Sequence, residues 1–326
     1  MVEEEVRNHS FLENAHRAIE VIIRPPRSNY DLNNVSHICF HMKLPPIPRV
    51  PVSFFNRRNQ VIVGSFYACG TFNTEKVHRC IIYLHGNIGS QLEGRSIVPR
   101  YAPRGISFFC FDFSGSGKSG GDYVTLGYNE QKDTLDVIHF LSTEMEISEF
   151  ILWGRSMGAA TAILAASSLS HTNLIKGIIS DSSYSSLNDL FEDIAKKASV
   201  FWLFRFFGVK WVKREVSKIA NFDCDSVSIV EAAKYCEMPI LIGHAIKDDF
   251  VPFEESIQIL EAYSGPKRHI PLQGGHNDPR DEVGWFNECT KFISDVFQIP
   301  MKDLDFEITP ETPEHYKTFM DLFKNL

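Results

Sequence analysis

One stretch of the chain constrains its fold more than any other, namely FILWGRSMGA at residues 150–159. Four apolar residues typical of a buried strand lead into Gly154-Arg155-Ser156-Met157-Gly158, and small residues compatible with a helix follow. A serine at a tight strand-to-helix corner needs glycines on either side, because larger side chains would collide there. In this context G-x-S-x-G is typical of a serine hydroxyl that points into a cleft. The pattern alone also occurs by chance, so Ser156 needs partners elsewhere.

Strand and helix patterns alternate on both sides of this stretch. Apolar runs suited to buried strands lie at residues 80–84, 106–111, 175–180, 239–242 and 269–272. Amphipathic helical patterns lie at residues 127–145, 253–263 and 282–297. Two strand-like runs at residues 52–56 and 61–67 predict an N-terminal hairpin. The alternation predicts an α/β fold, with a mostly parallel twisted sheet flanked by helices.

The segment from residue 182 to about residue 236 interrupts the alternation. It is too long to connect neighbouring elements of a compact domain, and its sequence has helical character. We therefore predict a helical cap, at about residues 184–236, inserted late in the sheet of a domain that spans residues 49–298. Residues 1–48 are predicted to form an N-terminal arm, and residues 299–326 an acidic C-terminal tail.

The most aromatic stretch of the chain, residues 200–214, lies in the predicted cap. Phe201, Phe204 and Trp211 recur near helical spacing, with basic residues between and after them. Three interpretations stay open. These residues form the substrate-binding wall of an acyl-chain pocket, or a patch for peripheral contact with an anionic membrane, or the surface on which the cap packs against the core.

Composition narrows the classes of partner and compartment. A net charge of -8 argues against a nucleic-acid partner, because nucleic-acid binding depends on a basic surface that neutralises phosphates. The seven cysteines are odd in number and never spaced as C-x-x-C, which predicts reduced thiols. No apolar run approaches the roughly 18 residues of a transmembrane helix, and the Met-Val-Glu-Glu-Glu start is unlike a signal peptide. We expect a cytoplasmic protein without a transmembrane segment.

Partners for Ser156 occur in the order serine, acid, histidine, each after a predicted strand. Asp248 follows the strand at residues 239–242, and His276 follows the last predicted strand in a glycine-rich loop. A histidine can remove the proton of a serine hydroxyl, and a carboxylate can orient that histidine. Asp249 is the main rival of Asp248 as the acid, and Asp181 is a weaker one.

Backbone N–H groups are the candidate donors for an oxyanion hole. Met157 follows the candidate nucleophile, and Asn87 ends the His85-Gly86-Asn87 sequence after an apolar run. Such donors are worth about 3 kcal/mol each in the transition state, because they meet charge as it develops. His85 is interpreted as a residue that orders this loop.

The motifs together resemble α/β-hydrolase domain proteins related to serine aminopeptidases and protein depalmitoylases. The resemblance covers about residues 50–298 and is carried by His85-Gly-Asn87, FDFSGSGKSG at residues 111–120, Gly154-Arg-Ser-Met-Gly158, Asp181-Ser-Ser, Asp248 with Val251-Pro252, and Gly275-His-Asn277. It implies the α/β-hydrolase fold and a Ser156–His276–Asp248 triad that works through an acyl-enzyme. Ala245 replaces a glycine common in the family, and the cysteine-rich lipidation segment of animal depalmitoylases is absent.

Three functional hypotheses follow. The first is hydrolysis of an ester or thioester in a small molecule or an acylated protein, without metal or cofactor. The second is a serine peptidase of the aminopeptidase type, which needs an acidic group for a substrate ammonium; Asp189, Glu192 and Asp193 on the cap are candidates. The third is a non-catalytic binding module on a hydrolase scaffold, which an intact set of triad residues disfavours.

Overall fold

One sheet of eight strands organises the part of the chain that the structure describes. The computed structural model of the protein describes residues 16, 19–35, 38, 47–69, 78–196 and 201–304, apart from the side chains of residues 201–207, 282 and 303. The strands are β1 (Arg49–Phe55), β2 (Val61–Tyr67), β3 (Arg79–Leu84), β4 (Ser107–Asp112), β5 (Glu149–Arg155), β6 (Ile175–Asp181), β7 (Ile240–Ala245) and β8 (Lys267–Leu272). Their order is β1-β2-β4-β3-β5-β6-β7-β8.

Strand directions follow the sequence pattern. Strand β2 pairs antiparallel with β1 and with β4, which confirms the predicted hairpin. From β4 to β8 all neighbouring strands are parallel. The apolar runs of β3 to β7 have no polar face, because parallel strands joined by crossover helices are covered on both sides. The edge strand β8 is more exposed. The predicted α/β class is therefore confirmed.

Helices occupy the connections between the strands. They are α1 (Val98–Tyr101), α2 (Glu130–Glu144), α3 (Met157–Ser168), α4 (Leu187–Lys196), α5 (Phe201–Ala220), α6 (Ile229–Ala233), α7 (Phe253–Ala262), α8 (Asn287–Phe297) and α9 (Met301–Leu304). Residues 19–23 add a helical turn ahead of the sheet. Helix α5 kinks at Gly208, where φ is 76°.

Two hydrophobic cores lie on opposite faces of the sheet. In β5, Leu152 belongs to the larger core and Ile151 and Trp153 belong to the smaller one. This division follows from the two-residue period of a strand, which points successive side chains to opposite faces. Helix α3 packs in the larger core, whereas α8 packs in the smaller. Packed helices therefore cover both faces of the sheet.

The predicted insertion between β6 and β7 is helical, and it contains α4, α5 and α6. The division of the chain into an arm, a domain and a tail stays a prediction, since most of residues 1–18 and all of residues 305–326 lie outside the described residues. Among the helices that the structure describes, none is long and apolar enough to cross a membrane.

Candidate active site

Ser156 occupies the corner between β5 and α3. Its φ is 53° and its ψ is −118°, a backbone conformation that is strained for a residue with a side chain. Both neighbouring glycines are required by close approach of backbone. A Cβ at Gly154 would lie 2.1 Å from the carbonyl oxygen of Gly158, and a Cβ at Gly158 would lie 1.9 Å from that of Leu84. At this corner Ser156 is half-buried and lines a cavity.

The structure brings Ser156, His276 and Asp248 together in one hydrogen-bonded series. His276 Nε2 lies 3.0 Å from Ser156 Oγ, and His276 Nδ1 lies 2.7 Å from Asp248 Oδ2. A carboxylate can only accept a hydrogen bond, so Nδ1 carries the proton in the neutral imidazole. Nε2 is then the acceptor that faces the serine hydroxyl. This geometry is suited to removing the hydroxyl proton.

Asp248 is held more firmly than its neighbour Asp249. The side chain of Asp248 is fully buried, and its Oδ1 accepts the N–H groups of Phe250 at 2.9 Å and Val251 at 2.8 Å. Burial by itself raises the pKa of Asp248, but the hydrogen bond from His276 and those two N–H groups lower that pKa below its ordinary value. The side chain of Asp249 is exposed. Asp248 therefore stays ionised against the imidazole.

His244, four residues before Asp248, also faces the carboxylate. Its side chain is fully buried, its Nε2 lies 3.0 Å from the carbonyl oxygen of Val251, and the same atom is 3.5 Å from Asp248 Oδ2. Burial lowers the pKa of His244, although the nearby Asp248 raises it. A neutral His244 supports the loop that carries Asp248 and does not form an ion pair with the Asp248 carboxylate.

The candidate oxyanion donors come from the loop after β3 and from the start of α3. Gly89 N–H donates to Gly86 O at 2.9 Å, so residues 86–89 form a turn with Asn87 at its second position. The carboxylate of Glu93 accepts the Gly86 N–H at 3.1 Å and thereby orders this turn. Met157 is the first residue of α3, and the N–H groups of a first helical turn have no intrahelical acceptor. Both N–H groups lie in residues that line one cavity.

His85 has a structural position next to the site. Its Nε2 accepts the N–H of Phe113 at 3.1 Å, and its Nδ1 lies 2.7 Å from the carbonyl oxygen of Gly86. Because both ring nitrogens bond to backbone, His85 orders the turn before Asn87, in the role interpreted from the sequence. Among the described side chains, no group of three or more His, Cys, Asp or Glu could hold a metal ion.

Two arginines fix the loop that carries His276. Arg155 Nη2 donates to the carbonyl oxygens of His276 at 2.8 Å and Asp278 at 3.2 Å. Arg280 Nη2 donates to His276 O at 3.3 Å, while its guanidinium forms a buried bidentate pair with Asp181. Burial opposes the charge on Arg280, but Asp181 raises the pKa of Arg280 above its ordinary value. Asp181, the weaker rival for the triad acid, is thus occupied by Arg280.

A cavity of about 420 Å³ opens beside Ser156 and His276. Its described lining is mainly apolar and comprises Val21, Ile22, Gly86, Asn87, Ile88, Gly89, Glu93, Leu126, Arg155, Ser156, Met157, Tyr184, Leu190, Ile194, Phe250, His276 and Asn277. Leu126, Tyr184 and Leu190 are almost completely buried, whereas Val21 is 64% exposed and Ile88 68% exposed. The cavity therefore runs from an apolar inner end under the cap to an apolar mouth. This size and lining are typical of sites for small organic groups.

The three aromatic residues predicted to bind substrate have different outcomes. Trp211 is partly buried and packs against the larger core, and the cavity lining given above does not include it. The side chains of Phe201 and Phe204 lie outside the described residues. From the cap, Leu190 and Ile194 of α4 reach the cavity instead. Substrate binding by Phe201 and Phe204 stays a prediction.

Sequence patterns did not identify Leu126, which lies in the cavity wall. Its φ is 50°, an unusual value for a bulky residue, and its carbonyl oxygen accepts the Tyr184 hydroxyl at 2.7 Å. Glu130 accepts the N–H groups of Thr125 and Gly127, both at 2.8 Å, and so holds the residues on either side. The one signal in the sequence was Gly127, which marks a turn but not its contents.

A buried carboxyl group joins the cap to the core. Glu255 of α7 accepts the N–H of Ser185 at 2.7 Å, just before α4 begins. Burial, together with a hydrogen bond involving Asp193 of α4, raises the pKa of Glu255 from 4.5 to about 8. Glu255 is therefore neutral near pH 7 in the folded protein.

This raised pKa predicts a pH-dependent stability. A carboxyl with a higher pKa when folded binds its proton more tightly in the native state, so its contribution is fully present below pH 4.5 and lost as pH rises through about 8. We expect the free energy of unfolding of wild type, relative to Glu255→Gln, to fall over this range in urea titrations. The exposed Glu254→Gln on the same helix keeps Glu255, so its unfolding free energy should run parallel to that of wild type over this range. Parallel curves for wild type and Glu255→Gln would contradict the assignment.

Comparisons with known proteins agree with this architecture. The family model described as serine aminopeptidase, S33, matches residues 75–228. Uncharacterized protein R595 of Acanthamoeba polyphaga mimivirus is 23% identical over 235 residues, covering 69% of this chain and 74% of its own. The lysophosphatidylserine lipase ABHD12 of Xenopus tropicalis is 27% identical over 192 residues, covering 53% of this chain and 44% of its own.

A solved structure extends the comparison to the whole fold. The Pyrococcus furiosus esterase Pf2001 superposes with a TM-score of 0.60 at 20% identity, covering 86% of this chain and 98% of its own. The chain thus has the α/β-hydrolase fold, and its residues 75–228 resemble the serine aminopeptidase family. The matched family model supports a hydrolase activity.

Proposed function

We propose that this protein is a serine hydrolase that cleaves an ester or thioester of an acyl group, in a small molecule or an acylated protein, through a covalent acyl-enzyme. The observation that carries the proposal is the series Ser156 Oγ to His276 Nε2 at 3.0 Å and His276 Nδ1 to Asp248 at 2.7 Å, at the edge of an apolar cavity. A nucleophile, its base and an orienting carboxylate within hydrogen-bond reach are the parts that acyl transfer needs.

The residues act in two half-reactions. Ser156 Oγ attacks the acyl carbonyl carbon while its proton passes to His276 Nε2, and Asp248 stabilises the imidazolium that forms. The N–H groups of Asn87 and Met157 donate to the oxyanion. When the intermediate collapses, the bond to the leaving oxygen or sulfur breaks and His276 protonates that atom. Water then attacks the acyl-enzyme, gives its proton to His276, and releases the acid with the proton returned to Ser156.

The composition of the cavity favours an acyl chain over a charged peptide terminus. Glu93 is the carboxylate among its described lining residues, and it already accepts the Tyr83 hydroxyl at 2.9 Å and the Gly86 N–H at 3.1 Å. Asp189 accepts the hydroxyls of Ser185 and Ser186. Carboxylates engaged in this way are poorly placed to bind a substrate ammonium, so the peptidase remains the second candidate.

The name of one relative points in the same direction. The lipase ABHD12 of Xenopus tropicalis is named for an acyl-bearing lipid, lysophosphatidylserine, and it aligns with about half of this chain. The Pyrococcus furiosus protein of similar fold is an esterase. Both names support an acyl ester as the substrate class of this protein, and neither defines its leaving group.

A fluorophosphonate probe tests the proposed chemistry directly. We expect wild type to react once per chain, to lose ester hydrolysis in proportion, and to carry the adduct on Ser156 in peptide mapping. Against p-nitrophenyl esters and aminoacyl p-nitroanilides, we expect turnover of the esters. An adduct on another residue would refute Ser156 as the nucleophile, and absence of both labelling and turnover would favour a non-catalytic binding module. Turnover of anilides alone would favour the peptidase.

A further inference from the structure

The segment at residues 19–30 is bound to the domain through its side chains. Ile19 and Ile23 are fully buried in the larger core, and the N–H of Val124 donates to the carbonyl oxygen of Ile23 at 2.7 Å. The guanidinium of Arg24 lies 5.9 Å from the centre of the Tyr123 ring, within the range of a cation–π contact. This part of the predicted arm is therefore packed against the larger core.

A second set of contacts fixes the segment beyond its helical turn. Arg27 donates to the carbonyl oxygens of Ser119 (2.7 Å) and Gly121. The Tyr30 hydroxyl donates to the buried carboxylate of Asp112. Burial of Tyr30, together with the charge of that carboxylate, raises the pKa of Tyr30 well above its ordinary value. Arg27 thus reaches the loop that follows β4, and Tyr30 reaches the last residue of β4. The segment is thus anchored on each side of residues 21 and 22.

Between these anchors, two apolar side chains face the candidate active site. Val21 and Ile22 line the same cavity as Ser156 and His276. Ile22 also packs against the larger core, while Val21 lies at the mouth with 64% of its surface exposed. An isoleucine backed by core residues is a rigid wall, because its position is fixed from behind by close packing. Leu190 and Ile194 of α4 line the same cavity.

We propose that Ile22 is a specificity-determining residue that contacts the acyl chain of the substrate, so that residues 19–30 form one wall of the acyl site. The inference rests on the proposed function. Its chemistry is steric and apolar: side-chain volume at residue 22 sets the room available to an acyl chain. A difference of one methylene in such a pocket is worth about 10-fold to 200-fold in discrimination.

Two substitutions of opposite size test this role. We expect Ile22→Trp to lower the ratio of kcat/KM for p-nitrophenyl octanoate to that for p-nitrophenyl acetate by about 10-fold or more. Ile22→Ala should change the chain-length profile in the other direction, toward longer or bulkier acyl groups. The exposed neighbour Glu20 gives a matched control, since Glu20→Ala alters the same helical turn away from the cavity. Unchanged profiles in both Ile22 variants would overturn the proposal.

A binding measurement separates this inference from the proposed chemistry. Octanamide, a neutral acyl amide, should bind wild type in calorimetry, and Ile22→Trp should weaken its binding about 10-fold, whether or not the protein turns over esters. Fluorophosphonate labelling reports the nucleophile independently. If wild type is labelled but Ile22→Trp binds octanamide as wild type does, the role of Ile22 is refuted and the proposed hydrolase chemistry stands. If Ile22→Trp weakens octanamide binding but wild type is not labelled, the role of Ile22 stands and the proposed nucleophile is refuted.

Discussion

Replacing Asp248 with asparagine is expected to lower kcat for ester hydrolysis about 10⁴-fold. The asparagine would keep the size of the side chain but lose the charge that stabilises the imidazolium. Its amide N–H can also donate to His276 Nδ1. The imidazole then carries its proton on Nε2, so Nε2 cannot accept the proton of Ser156. Steady-state kinetics with a p-nitrophenyl ester measure the change, and KM should vary little because Asp248 does not line the cavity.

Asp249 provides the matched control for this substitution. It is adjacent in sequence but exposed, and the hydrogen bonds of the site go to Asp248 instead. Asp249→Asn should therefore retain wild-type kcat within a factor of about two, as expected of an exposed side chain away from the reacting groups. A large loss in Asp249→Asn, with activity kept in Asp248→Asn, would exchange their roles.

Gly158→Ala is expected to destabilise the fold by about 4 kcal/mol or more, a loss that ordinary surface substitutions do not cause. The new Cβ would lie 1.9 Å from the carbonyl oxygen of Leu84 and 2.8 Å from that of His85. Both are backbone atoms at the end of a central strand, so relief requires α3 to move away from β3. Urea unfolding followed by circular dichroism measures the loss, together with the yield of folded protein.

Gly86→Ala is the contrasting variant within the same site. A Cβ at Gly86 would have its nearest neighbour at 3.8 Å, an ordinary van der Waals distance. We expect its unfolding midpoint to stay close to that of wild type, even though the methyl group lies 4.0 Å from the Ser156 Cβ and can slow the reaction. Equal stabilities for Gly158→Ala and Gly86→Ala would show that the close approach at the corner is not rigid.

The sequence was sufficient to predict the sheet and to place the three candidate catalytic residues after its strands, while their catalytic role stays a prediction. Ser156, Asp248 and His276 each follow a parallel strand, and the carboxyl ends of parallel strands converge at one edge of a sheet. The apolar runs identified the strands because burial on both faces removes polar residues. Strand β7 nevertheless extends to Ala245, past the apolar run, because His244 is buried there and bonds to Val251.

Choices that depend on tertiary packing could not be made from the sequence. Asp248 and Asp249 are adjacent, and only the direction of each side chain separates a buried acceptor from an exposed one. Trp211 is a large aromatic residue of the kind that lines pockets, but it packs on the larger core. Helical spacing identifies the apolar face of a helix and does not show what that face packs against. Ile22 lies more than a hundred residues from Ser156 in the chain, and local patterns carry no information on such contacts.

The pairing of Arg155 and Arg280 with the His276 loop has a consequence for how molecules of this protein can be counted. Arg280 reaches Asp181 across 99 residues, and Arg155 reaches His276 across 121. Contacts so distant in sequence form only when the chain is almost completely assembled, since closing long loops costs entropy before the contacts stabilise them. A histidine aligned on Ser156 is thus a marker of a finished molecule. Active-site titration of a refolding mixture would measure its native fraction rather than its total protein.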